Sequence, residues 1–316
     1  MLPSRFTHNV QLSRFSVLIW LALLAPLVAY GVPTLRRNSR TNINNRPLFQ
    51  GITYSRRVKT QPLPQIIHIL EIDLTAPGLT PLATGGFDGG TPNANELNTR
   101  ETIALPTAQF LKVNDLQVAI NGNYFYPFQE TTPWNYGPKS GQPASLVGVA
   151  ISEGELVSSA EKGWPALCFL PQQAVIQKDG SCPEETTQAL GGDALLLESG
   201  APVDVLAVVL AGNQPDKAYP MNIAALDESG TRLWLILSDG KQPLYSEGTR
   251  LTDIYALLKD LGATTALRLD GGGSTTLVIE SEGRPRILNA VIHAKIPGFE
   301  RPVGNHLGFY ATPLSP

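Results

Sequence analysis

Residues 267–279, LRLDGGGSTTLVI, set the strongest limit on how this chain can fold. An apolar run ends at Asp270, three glycines follow (Gly271, Gly272, Gly273), and Ser274, Thr275 and Thr276 supply hydroxyls before a second apolar run begins. Consecutive glycines lose the most backbone entropy on folding and bring no side chain to pack. They persist where φ must be positive or where something must approach the main chain closely. A carboxylate on the lip of such a loop reads as a site, and the plainer alternative is a tight Asp-Gly turn between two paired strands.

A similar plan occurs upstream. After Pro106, residues 107–113 suit two turns of helix, residues 116–120 suit a buried strand, and the chain then breaks into Asn121-Gly122-Asn123-Tyr124-Phe125-Tyr126-Pro127. In the downstream copy Thr252 is the candidate cap of a helix with Ile254, Leu257, Leu258 and Leu261 on one face; Gly262 ends it, and residues 266–269 lead into Asp270. Two strand ends carrying polar glycine loops point to one cleft, provided the strands are near neighbours in a sheet.

Elsewhere, alternating apolar runs turn at Ser152-Glu153-Gly154, Glu228-Ser229-Gly230 and Ser281-Glu282-Gly283. With few helices and many turns, the fold class is α+β: a single domain with mixed or antiparallel sheets and several β-hairpins. The expected divisions are residues 1–32 as a signal peptide or membrane anchor, 33–64 as a linker and 65–313 as the folded domain. The linker assignment rests on TLRRNSRTNINNRP, which has no apolar period.

Arg5 and Arg14 precede the apolar residues 15–32, the order of an export signal. Ala29 and Gly31 are small enough for a cleavage site. The run is also long enough to remain as an anchor, with Arg36, Arg37 and Arg40 directly after it. The chain is therefore expected outside the cytoplasm, secreted or anchored. In that compartment Cys168 and Cys182 read as a disulfide stapling a hairpin that turns at Lys178-Asp179-Gly180. A net charge of -3 gives no basic footprint for nucleic acid.

The blocks AINGNYFYP, SLVGVAISEGELVSS, LILSDGKQPLYSEGTRLTDIYALLKDLGATTALRLDGGGSTTLVI and ERPVGNHLGFY, in that order, resemble the phosphodiester glycosidase family, which has exported bacterial members described as exopolysaccharide-related. The resemblance implies a hydrolase acting on a glycosyl-1-phosphodiester or a related envelope glycosidic linkage. By position it implies that Asn121, Asp270 with its glycine triplet, Ser274, Arg301 and Asn305 line the active cleft. The sequence departs from the family pattern at Met221-Asn222, where many members carry arginine and threonine, and at Asn123, where they often carry glycine. The departure at Met221 removes a side chain suited to phosphate. A non-catalytic glycan-binding or envelope-assembly protein on the same fold is the alternative reading.

Breaking the bond between an anomeric carbon and oxygen usually takes two carboxyl groups. Asp270 is the candidate for one, and Asp88, Glu101, Asp193 and Asp239 are open candidates for the other. Asn121, Asn123, Ser274 and Asn305 offer partners for sugar hydroxyls. The amides of Gly271, Gly272 and Gly273 are a candidate anion nest, and Arg301 is either a cationic contact or a surface ion-pair partner of Glu300 or a neighbour. Tyr124, Phe125, Tyr126 and Trp134 suit either sugar stacking or packing, with packing preferred. His68 and His306 read as packing residues. Asp270 with a second carboxylate offers the oxygen ligands of a divalent cation, but no metal is assigned.

Overall fold

The computed structural model describes residues 14–87, 101–132, 134–203 and 217–314; Asp88 lies outside them. The largest sheet has eight strands, in the order Ile43–Phe49, Ile52–Lys59, Gln65–Asp73, Arg232–Ser238, Asn222–Leu226, Thr265–Leu269, Ala194–Glu198 and Ala201–Pro202. Every neighbouring pair is antiparallel. A second, five-stranded antiparallel sheet runs Arg284–Ile287, Leu277–Ser281, Val118–Asn121, His306–Tyr310 and Thr80–Ala83. The described residues are thus mostly β, with three helices.

The period-2 alternation of side chains explains how these sheets stack. On the long sheet Leu70, Ile72, Leu233, Leu235, Leu237, Leu267 and Leu269 face inward. They meet Val118, Ile120, Leu277, Ile279, Leu307 and Phe309 of the second sheet in one core. The intervening residues Ile67, Ile69, Ile223, Ala225, Trp234 and Ile236 point the other way, onto Ile254, Leu257 and Leu258 of helix Leu251–Leu261. Helix Thr107–Val113 covers the outer face of the second sheet through Phe110 and Leu111, against Ala119 and Val278. Both sheets are covered on both faces, which is why their central strands read as nearly unbroken apolar runs.

Part of the expected linker is not one, because Ile43–Phe49 and Ile52–Lys59 form the edge of the long sheet. Ile52 and Tyr54 are fully buried, and buried Arg56 donates to the Thr41 carbonyl (2.8 Å) and hydroxyl. A strand with one solvated face is recognised by apolar alternation, and three arginines with two asparagines on these two strands masked it here. The downstream helix starts after Arg250 rather than Thr252, and ends as expected at Gly262, with φ 76°.

A third sheet carries the cysteines. Strand Ala166–Leu170 pairs with Gln173–Gln177, so that hairpin turns at Pro171-Gln172 and not at Lys178-Asp179-Gly180. The disulfide forms as expected, with Cys182 returning from beyond the second strand to Cys168 at a Cα–Cα distance of 5.7 Å. At the N-terminus, helix Arg14–Leu35 contains a 20-residue span, Ser16–Leu35, of mean hydropathy 1.9, with none of it buried. An exposed apolar helix of this kind, together with the disulfide, fits an extracytoplasmic protein.

Two outcomes follow. A chain beginning at residue 60 lacks two strands and lays bare the edge Gln65–Asp73; it should aggregate, whereas one beginning at residue 36 should stay soluble, as size-exclusion chromatography would show. Replacing Cys168 and Cys182 with serine opens a loop closed over a separation of 14 residues, and should cost about 3 kcal/mol in urea unfolding.

Candidate active site

Strands Val118–Asn121 and Thr265–Leu269 lie in different sheets rather than side by side, yet their C-terminal ends meet across the core. The side chain of Asn121 makes the junction. Its Nδ2 donates to the Asp270 carbonyl (2.6 Å), and its Oδ1 accepts from the Thr276 amide (3.0 Å) and from Asn222 Nδ2 (3.2 Å). Asn222 Nδ2 also donates to the Asn121 carbonyl (2.8 Å), and the Asp270 amide donates to the Gly122 carbonyl (3.1 Å). Asn121 and Asn222 have no exposed surface, so these bonds form out of water, where leaving them unmade would be costly.

Asp270 stands at the edge of a cleft of about 240 Å³ lined also by Tyr124, Phe125, Phe128, Tyr219, Gly271 and Arg301. The glycine loop is shaped by what it touches. Gly272 has φ +65° with the Tyr219 hydroxyl against it, and a Cβ on Gly273 would run into the guanidinium of Arg301. The proposed anion nest is partly closed, because the Gly272 amide donates to the Pro220 carbonyl (2.9 Å) and the Ser274 amide to the Gly271 carbonyl (3.1 Å). Positive charge comes from side chains instead. Lys241 lies over the Tyr219 ring at 4.9 Å and forms no ion pair among the described residues.

Arg301 is buried, and it pairs with Glu130 rather than Glu300. Its Nη2 donates to Glu130 Oε2, its Nη1 to Ser274 Oγ (3.1 Å) and its Nε to His293 Nδ1 (3.1 Å), while its plane covers the Phe128 ring at 4.6 Å. Burial and the Arg301 charge push His293 down to about 4, so the ring is neutral and free to accept. Glu300 instead accepts from the Ala108 amide (2.8 Å) at the start of helix Thr107–Val113.

Burial drives the Asp270 carboxyl up to about 7; hydrogen bonding to Ser274 and the charges of Arg301 and Lys241 oppose the shift, and Asp193 adds to it. Asp193 is ion-paired to Arg268 and hydrogen-bonded to Tyr124. The other expected carboxylates serve the scaffold. Glu101 accepts from the Leu146 amide (2.9 Å), and Asp239 accepts from the Ala290 amide (2.7 Å) and pairs with buried His68. His306 is buried, stacked on Phe110 and bonded through both ring nitrogens. Among the described residues no group of three His, Cys, Asp or Glu side chains is placed to hold a metal ion.

Residues 114–310 match the sequence profile of the phosphodiester glycosidase family. The chain belongs to that family. No curated protein matches it in a sequence comparison. Solved structures share its fold. The catalytic domain of zebrafish N-acetylglucosamine-1-phosphodiester alpha-N-acetylglucosaminidase, auto-inhibited by its pro-peptide, superposes with a TM-score of 0.56 at 20% identity, over 86% of this chain and 87% of that one. A Synechocystis protein gives 0.57 at 15% identity, over 83% of this chain and 62% of its own, and a Burkholderia pseudomallei protein named as exported gives 0.55 at 14%, over 78% and 74%.

Within this phosphodiester glycosidase fold, the loops expected to converge do meet, with the roles of their residues redistributed. Asp270, Gly271 and Arg301 line the cleft, as do Tyr124 and Phe125, whereas Tyr126 and Trp134 lie outside it. Ser274 sits behind Arg301, while Asn123 donates to the carbonyls of Val147 (3.3 Å) and Val149 (3.0 Å), and Asn305 Oδ1 accepts from the Asn123 amide (3.3 Å). Together with Asn121, these side chains brace the loops from behind the cleft. Sequence reasoning missed Glu130, His293, Tyr219 and Lys241. Only Lys241, inside the turn Asp239-Gly240-Lys241, carried a local signal.

The raised Asp270 carboxyl has a measurable cost. Between the ordinary carboxyl value of 3.8 and about 7 the unfolded chain gives up this proton while the folded chain keeps it, so stability falls as pH rises through that window. Asp270→Asn should therefore unfold at a higher temperature than the parent at pH 8, with the difference shrinking toward pH 4. An equal difference at both pH values in scanning calorimetry would contradict this account of Asp270.

Proposed function

We propose that the chain is an exported glycoside hydrolase that cleaves a glycosyl-1-phosphodiester or a related cell-envelope glycosidic linkage, with Asp270 as the key carboxyl. The supporting observation is a buried carboxyl, raised to about 7, at the lip of a cleft that also presents Arg301, with Lys241 against the Tyr219 ring of its wall. At neutral pH such a group is close to half protonated, poised to give a proton to the leaving oxygen and take one back.

In this mechanism the sugar ring packs on the aromatic wall of Tyr124, Phe125 and Phe128, and the anionic leaving group lies toward Lys241 and Arg301. The bond from the anomeric carbon to the leaving oxygen breaks as Asp270 protonates that oxygen, and water supplies the hydroxyl of the released sugar. Asp193, whose charge bears on Asp270 and whose carboxylate meets Tyr124 of the cleft wall, is assigned to assist that water. Arg301 offers a phosphate contact although Met221 cannot, so the departure from the family pattern leaves the anion subsite with a guanidinium.

The test is release of free sugar from a panel of sugar-1-phosphodiesters and envelope glycans. The parent should turn over at least one member of the panel, with a descending pH limb near 7. Asp270→Asn should lose at least a thousandfold in kcat/KM, equivalent to about 4 kcal/mol. Turnover within tenfold of the parent would make Asp270 a turn residue, and an ascending limb would make it a base rather than an acid.

A further inference from the structure

We propose that the junction between the N-terminal helix and the folded domain binds the headgroup of an anionic phospholipid. A second cavity, of about 280 Å³, opens there, walled by Val32 and Pro33 from the last turn of the helix, by Arg36 and Arg37 after it, and by Gln242 and Asn289 of the domain. It is separate from the cleft at Asp270 and shares no lining residue with it.

Asn38 and Asn289 in this lining are hydrogen-bonded within the protein, but the two arginines and Gln242 keep polar capacity unused. Neither arginine forms an ion pair among the described residues. Arg37 lies over the Tyr245 ring at 4.9 Å, and its Nε is buried without a hydrogen bond. Gln242 is 2% exposed; its Nε2 donates to the Ala290 carbonyl (2.6 Å), which leaves Oε1 buried and unpartnered. Two guanidinium groups beside an unused amide oxygen suit a phosphate ester that also carries a hydroxyl donor, since each group then finds its complement.

The position of the cavity selects the lipid source of that phosphate. Ser16–Leu35 is 20 residues long, exposed and apolar, and at about 1.5 Å per residue it matches the roughly 30 Å hydrocarbon layer of a bilayer. A cavity bounded by its last turn and by the two residues after it therefore lies at headgroup depth. The junction is also fixed. Asn38 Nδ2 donates to the Leu288 carbonyl (2.8 Å), the Tyr245 hydroxyl donates to the Asn38 carbonyl (3.0 Å), and Pro33 packs against Gly298. Arginines directly after a span are disfavoured on the translocated side, and a bound anionic headgroup gives them a local reason to be there.

The full-length chain, in neutral detergent, would be titrated with phosphatidylglycerol or phosphatidylcholine in mixed micelles while its melting temperature is followed. Phosphatidylglycerol should raise the melting temperature several degrees more than phosphatidylcholine, and Arg36→Gln/Arg37→Gln should need at least tenfold more lipid for the same shift. Arg36→Gln alone, at an exposed side chain, serves as the second variant should the double variant melt low without lipid; it should weaken the response in the same direction. Equal responses of parent and variants would overturn the proposal. An equal shift with inorganic phosphate or glycerol 1-phosphate would also overturn it, because the site would then serve a soluble anion. So would an intact mass of the membrane-fraction protein that lacks residues 16–35.

Discussion

The site depends on one buried amide. Asn121 closes the end of a strand in the second sheet onto the carbonyl of Asp270, the amide of Thr276 and the side chain of Asn222, and so ties together four strand ends that belong to two sheets. The sheets pack through a dry core, which fixes their separation but not their relative slide. Directional bonds made without competing water supply what apolar contact cannot. The glycine loop, the Arg301 pair and the cleft wall are all placed relative to that clamp.

Asp270 inherits its chemistry from this arrangement. Its main chain is held inside the clamp while its carboxyl stands at the cleft, mostly shut off from solvent. Desolvation outweighs the cations nearby because Arg301 shares its charge with Glu130 and Lys241 stands near solvent. A carboxyl buried beside a fully unpaired arginine would sit far lower and hold no proton at neutral pH. Arg301, held by Glu130 and His293, is thus both a wall of the cleft and a charge that opposes the upward shift of Asp270.

The sequence announced those parts of the fold that local chemistry dictates. Glycine turns marked the hairpins, a 3.6-residue period and Gly262 marked the helix that backs the long sheet, and two cysteines marked the disulfide. It named the loops that meet at the cleft, one through a glycine triplet after an apolar strand and the rest through the family resemblance. It did not reveal which way the asparagines point: a polar side chain at a strand end looks alike whether it meets a sugar or a backbone carbonyl across the core. Glu130 was invisible because it meets Arg301 across a separation of 171 residues, and His293 because nothing in its local pattern shows that its ring turns to Arg301. The edge strands before residue 60 were hidden by their asparagines and arginines, one of which, Arg56, is itself buried.

The glycine loop has a consequence for how such a site can change over generations. Gly272 and Gly273 are pressed against Tyr219 and Arg301, so this wall accepts almost no mutation without displacing a side chain that lines the cleft. The exposed residues beside it are different: Phe128 is half-exposed, and Lys241 stands in a solvent-facing turn. New specificities in a lineage built on this site are therefore expected to accumulate on the rim, while the loop around Asp270 stays frozen.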